Sequence, residues 1–132
     1  MNRAGSMTGL LVFACVAVWA DTPVADLPQR QELRRADLSG SPGMEVITSI
    51  SEFKKGESIP RHSHHGIETG YVLQGTMIQV AGQPPTMMPT GSPIMNLRDV
   101  PHAGFTVVGD PSLRLLTVHV VDKGKPLYEW VH

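Results

Sequence analysis

From Gly56 to Gly75 the chain reads GESIPRHSHHGIETGYVLQG, which sets His62, His64, His65 and Glu68 within seven residues, beside the apolar run Tyr71-Val72-Leu73. Three of the six histidines of the chain lie here. In an extended strand side chains alternate between faces, so His62 and His64 point the same way, roughly 6.6 Å apart along the strand. Two imidazole nitrogens at that separation can converge on one cation. Glu68 stands an even number of residues further on and keeps the same face if the strand continues, offering an oxygen ligand. Imidazoles with a carboxylate suit first-row transition metals, whereas calcium and magnesium take all-oxygen shells. The competing reading of the same residues is a solvated, histidine-rich turn that holds no ion.

Outward from this stretch the pattern is that of short strands. Met44–Phe53 (MEVITSISEF) alternates, with Val46, Thr48 and Ile50 on one face and Ile47, Ser49, Ser51 and Phe53 on the other. Lys54-Lys55-Gly56-Glu57 turns the chain into the histidine-rich strand. Tyr71–Leu73 and Thr76–Ala81 read as strands meeting at Gln74-Gly75, followed by a turn at Gly82–Pro85, a short strand Thr86–Met88 and a turn at Pro89–Gly91. Ser92–Leu97 leads through Arg98-Asp99-Val100-Pro101-His102 to a strand at Gly104–Val108. After a turn at Gly109–Ser112 comes Leu113–Val121 (LRLLTVHVV), apolar on both faces and expected to be buried on both sides. Gln31–Leu38 fits either a helical turn or an edge strand. No stretch after residue 38 carries the helical i, i+3, i+4, i+7 apolar pattern. About eight short strands at regular spacing predict an all-β antiparallel sandwich or small barrel.

Composition sets outer bounds. A length of 132 residues provides one domain with one modest core. A net charge of −1 and a pI near 6.6 supply no basic field for a nucleic-acid backbone. Residues 1–20 combine Arg3, the uncharged apolar run Met7–Trp19 and a small-residue site at Val18-Trp19-Ala20, the pattern of a cleaved signal peptide. The run is too short for a transmembrane helix. The expected product is an exported protein, periplasmic or secreted, with no stable membrane anchor after cleavage. Cys15, the only cysteine, leaves with that segment, so the mature chain has no disulfide and no thiol nucleophile. The minor alternative is lipidation at Cys15. Residues 21–42 then form a leader and N-terminal edge strand, 43–122 the barrel, and 123–132 a polar, proline-bearing tail.

The spacing of the glycines carries a resemblance. Gly56, five residues, His62-Ser63-His64, three residues, Glu68, six residues and Gly75 fill every fixed position of the first cupin motif. The second motif is partly matched. Gly91 and His102 stand in register and Val100-Pro101-His102 has the common ending, while Leu97, Asp99 and Thr106 replace the usual proline, glycine and asparagine. Over residues 43–122 the chain thus resembles a small single-domain cupin. The resemblance implies a conical β-barrel of the jelly-roll type, with a divalent transition metal held by His62, His64, Glu68 and His102. Fe(II) or Mn(II) is favoured, with Ni, Cu, Co or Zn as alternatives. Among cupins it is most similar to the exported quercetin-dioxygenase-like group, which implies a dioxygenase-like enzyme on a small hydroxylated or enolic substrate. Glu68 would then be both ligand and catalytic base. The same site also fits a cupin isomerase, decarboxylase or lyase, or a module that binds a metal or small ligand without turnover. A homodimer through exposed strands, with Leu113–Val121 and Tyr128–Trp130 supplying area, is a further expectation.

The remaining polar and large residues receive simpler readings. Asp99 pairs with Arg98 or solvent, the alternative being that it orients a ligand histidine. His65, next to His64, faces the other way, a surface or interface histidine. His119 lies on the side of Leu115 and Thr117 and is read as a satisfied core histidine, the alternative being that it faces the barrel interior near the ion, and His132 is read as solvated. Met77, Met87, Met88 and Met95 are read as pocket lining or core filler, and Tyr71, opposite Glu68, as a packing or dimer-contact residue rather than an acid–base catalyst.

Overall fold

The computed structural model describes residues 26–132, so the expected signal peptide and Cys15 lie outside the described residues. Among the described residues there are strands and no helix. Arg30–Asp37 resolves as strand β1 at the edge of a sheet, where its charged residues suit an unpaired border. β2 (Met44–Phe53) follows the predicted alternation, burying Ile47, Ser49, Ser51 and Phe53 on one face. The chain then runs through two-residue strands β3 (Ser58–Ile59) and β4 (His62–Ser63) into β5 (Gly66–Gln74). β6 (Thr76–Val80), β7 (Thr86–Met88), β8 (Pro93–Asn96), β9 (Phe105–Val107), β10 (Leu113–Asp122) and β11 (Glu129–Trp130) complete the order.

These strands form a five-stranded antiparallel sheet β1-β2-β10-β5-β8 and a four-stranded sheet β3-β9-β6-β7, with β11 paired to β4. β5 and β6, neighbours in sequence, do not pair: the chain leaves one sheet and enters the other at Gly75. A Cβ there would stand 2.1 Å from the carbonyl oxygen of Met88 and 2.4 Å from the amide nitrogen of Thr90, so only glycine passes. Phe53, Val72, Leu113 and Leu115 from the larger sheet meet Ile59, Ile78 and Val107 from the smaller one in a single core. Both sheets therefore bury one face against each other.

β10 departs from expectation. It is central, between β2 and β5, but only Leu113, Leu115, Thr117, His119 and Val121 are buried, while Leu116, Val118 and Val120 on the outer face are half-buried. Nothing among the described residues covers that face. The C-terminal segment also differs from a polar tail that offers Tyr128–Trp130 to a second copy, since Tyr128 is used inside this chain. It folds back so that β11 pairs with β4, matching Trp130 to His62 and Glu129 to Ser63, and Tyr128 is buried in the core.

Candidate metal centre

The residues of the two motifs are stitched together by backbone. His62 N donates to His102 O at 3.1 Å and His102 N donates to His62 O at 2.8 Å, an antiparallel bridge between the histidine-rich stretch and the loop before β9. Asp99 N donates to His64 O at 2.9 Å. Asp99 itself has φ 58°, the left-handed conformation expected of the glycine it replaces and one that Asp tolerates better than most residues. Glu68 projects from β5, with His119 of β10 on one side and Asn96 of β8 on the other in the strand register. His62, His64, Glu68 and His102 each offer one ligand atom, and these atoms all lie within 4.8 Å of one another.

Hydrogen bonds fix how the rings present themselves. The Nδ1 of His62 faces the Pro60 carbonyl at 2.8 Å, that of His64 the Leu127 carbonyl at 2.5 Å and that of His102 the Val100 carbonyl at 3.0 Å. A carbonyl oxygen only accepts, so each Nδ1 carries the proton and each neutral ring keeps its lone pair on Nε2. The Nε2 atoms of His64 and His102 each stand 3.3 Å from Glu68 Oε2, yet both are buried with no hydrogen-bond partner among the described residues. Acceptor lone pairs turned on a carboxylate oxygen in a dry site repel unless a cation or a shared proton lies between them. Asn96 Nδ2 donates to the same oxygen at 2.7 Å, anchoring it from behind. The donor set, the orphaned nitrogens and the carbonyl-locked tautomers all fit a transition-metal ion.

Protonation follows the same surroundings. Burial lowers the His62 imidazole to about 4, against the opposing Pro60 carbonyl. For His102 burial also lowers the value, but Glu68 and the Val100 carbonyl outweigh it and the net shift is upward. Burial would push the Glu68 carboxyl up; with no cation bound, a proton shared with the imidazoles of His102 and His64, together with the nearby His119, prevails and holds it below the usual carboxylate range. Glu68 is thus ionised, and charge complementarity with a cation is present in the protein itself.

The site opens on a cavity of about 210 Å³. His62, Glu68 and His102 form one wall, and most of the rest is apolar, including Phe53, Ile59, Ile94, Phe105 and Leu115. Ser51, Thr117 and Tyr128 add hydroxyl groups, and no lysine or arginine among the described residues lines it.

The sequence profile of the Cupin domain matches residues 49–119. This chain belongs to the cupin family. Solved structures resemble it at low identity. The polyketide cyclase RemF of Streptomyces resistomycificus is 20% identical, with 80% of this chain and 74% of that one covered and a TM-score of 0.53. A cupin-like protein of Thermotoga maritima is 21% identical, with 77% and 74% covered and a TM-score of 0.52. The DMSP lyase DddQ of Ruegeria pomeroyi is 20% identical with a TM-score of 0.47, and this cupin covers 40% of its length, with 61% of its own chain aligned. At such identities the first two likenesses carry the fold alone, and the third carries no argument. No curated protein sequence matches the chain.

Within the cupin, several residues sit differently from the sequence reading. His119 is fully buried, but it is not a satisfied core histidine: neither ring nitrogen has a hydrogen-bond partner, and its Nε2 lies 3.4 Å from Glu68 Oε1. Asn96 and Tyr128 also reach the site; Asn96 was not singled out, and Tyr128 was read only as part of a dimer contact. The even spacing of Asn96 within β8 was a usable signal; the return of Tyr128 from a polar tail was not. Asp99 pairs with neither Arg98 nor a ligand ring. It meets His65 Nδ1 at 3.2 Å, while Arg98 binds Asp122. His65 does stay off the site, with Nε2 3.0 Å from Glu129 Oε1. Met88 lines the cavity as expected, but Met87 and Met95 are exposed, because their strand positions face outward. Tyr71 lies on the outer face, half-exposed.

Proposed function

We propose that this cupin is a metal-dependent, dioxygenase-like enzyme acting on a small hydroxylated or enolic substrate, with His62, His64, Glu68 and His102 as ligands. The observation that carries the reading is the orphaned Nε2 atoms of His64 and His102, each turned on Glu68 at the wall of an apolar cavity. Fe(II) or Mn(II) fits best, since three imidazoles and one carboxylate are a mixed nitrogen–oxygen set. Such an ion, when bound, supplies Lewis acidity and a place for oxygen chemistry.

The chain's own residues do the rest. The carbonyls of Pro60, Leu127 and Val100 hold the three rings in one tautomer, which keeps their lone pairs aimed at a single point. Glu68 contributes negative charge and a ligating oxygen. Glu68 also lines the cavity, which places its carboxylate to take a proton from a substrate hydroxyl. The apolar walls exclude water and strengthen every charge interaction inside. The cavity falls below the range typical of drug-sized ligands, roughly 300 Å³ and upward, so a small substrate is favoured. Without a lysine or arginine in the lining, a second anionic group on that substrate would find no partner.

Elemental analysis of the purified protein, beside the His62→Ala/His64→Ala variant, tests this. Near-stoichiometric metal in the parent and its loss in the variant are expected, followed by oxygen consumption with a phenolic or enolic compound. Equal metal in both proteins sinks the ligand assignment. Bound metal with no oxygen uptake across such compounds leaves the non-oxidative reading, in which the same ion polarises a carbonyl for isomerisation, decarboxylation or lyase chemistry. Export belongs to the same proposal, and finding the mature N-terminus at Asp21 in a periplasmic or secreted fraction is its check.

A further inference from the structure

Among the described residues, the most deeply placed group that the proposed ligand set leaves unused is His119. It is 0% exposed, and both of its ring nitrogens lack a hydrogen-bond partner. An unpartnered buried polar atom costs stability, so a histidine serving only as core filler is a poor choice where leucine would pack without that penalty. Its position is not arbitrary. β10 pairs His119 directly with Glu68 across the inner face of the sheet. The two carboxylate oxygens of Glu68 have different neighbours: Oε2 faces His64, His102 and Asn96, while Oε1 faces His119 Nε2 at 3.4 Å. A shift of about half an ångström turns that approach into a hydrogen bond of ordinary length.

Resting on the metal-centre reading above, we propose that His119 is a positioning residue whose Nε2–H holds Glu68 Oε1, so that Glu68 presents Oε2 alone to the ion. Asn96 holds Oε2 from one side and His119 holds Oε1 from the other; together they leave the carboxylate one orientation. A carboxylate without the second restraint can swing to offer both oxygens, which changes the number of open coordination positions. Outer partners of this kind shift metal affinity by about 10- to 100-fold.

The test compares wild type with His119→Leu and His119→Gln, using Mn(II) affinity by chelator competition, the visible spectrum of the Co(II)-loaded proteins, and the melting midpoint of each metal-free protein. His119→Leu is expected to weaken Mn(II) binding about tenfold or more and to change the Co(II) bands, while its metal-free midpoint stays level or rises. His119→Gln, which can return an N–H donor to Oε1, is expected to recover most of the affinity and the wild-type spectrum. Two patterns would falsify the proposal: His119→Leu with wild-type affinity and spectrum, or affinity losses in both variants that simply follow a fall in the metal-free midpoint. Wild type that takes up no metal overturns the metal-centre reading together with this one, whereas normal loading of wild type and His119→Leu alike overturns this inference alone.

Discussion

At the scale of single residues, the centre is governed by which nitrogen of each ring carries a proton. Nδ1 of His62, His64 and His102 faces a carbonyl in every case, so the ligating lone pairs exist before any ion arrives. Asn96 acts on the other partner. Replacing it by Leu removes the 2.7 Å donor to Glu68 Oε2, and metal affinity is expected to fall about 10- to 100-fold with the fold retained; isothermal titration with Mn(II) and a circular dichroism spectrum read the two effects separately. The buried histidines also set an acid limit. Burial lowers both His62 and His119 to about 4 from an ordinary 6.5. A lowered value means that the unfolded chain takes up protons first as the pH falls, so stability is lost between 6.5 and about 4. His102, shifted upward, contributes fully below 6.5 and does not change that sign. Denaturant melts of the chelator-treated protein are expected to lose at most about 3 kcal/mol per lowered histidine across this window. A midpoint constant from pH 7 to 4 would count against burial as the cause.

At the scale of elements, the return of the C-terminal segment decides how the centre is built. β11 pairs with β4, Leu127 supplies the carbonyl for His64, and Tyr128 stacks on Trp130 with ring centroids 5.1 Å apart while packing edge-on to His62 at 4.9 Å. His65 ties the arrangement together, linking Asp99 of the second-motif loop to Glu129 of β11. Truncation after Lys125 removes that carbonyl and both aromatics. Metal content of the truncated protein is expected to drop several-fold and the midpoint to fall, whereas Trp130→Phe, which keeps β11 and a stacked ring, is expected to retain both. Full metal loading in the truncated chain would show that the segment is dispensable.

At the scale of the whole molecule, one sheet face remains uncovered among the described residues. Across the strands its outer rows run Val46–Val120–Ile67, Thr48–Val118–Thr69–Met95 and Ile50–Leu116–Tyr71. Such rows, apolar except for Thr48 and Thr69, suit packing against the same face of a second copy about a two-fold axis. Light scattering of the mature protein is expected to give a dimer mass, and Val118→Lys, placed at the centre of the face, a monomer. A wild-type monomer at micromolar concentration would reject that arrangement. Inside, Phe53 anchors the core between the sheets, and Phe53→Ala is expected to cost about 3–5 kcal/mol in denaturant unfolding.

Much of this was legible in one dimension because it depends on local repetition. A period of two in Met44–Phe53 predicts which side of β2 is buried, and the spacing from Gly56 to Gly75 predicts one face bearing His62, His64 and Glu68. The turn after Gln74 needs a residue without a Cβ, and the sequence writes glycine there. Contacts between distant segments leave no such trace. Strand alternation places His119 inward but cannot say that Glu68 lies opposite, because that depends on the register between β5 and β10. A polar, proline-bearing ending resembles a solvated tail in composition, and only its pairing with β4 brings the Leu127 carbonyl to His64 and Tyr128 to the cavity. Composition and periodicity thus determined the strands, and the resemblance to the cupin motifs implied the fold family and the four candidate ligands. The tertiary structure alone decided what surrounds those ligands, since burial and partner geometry are properties of chain segments brought together from far apart.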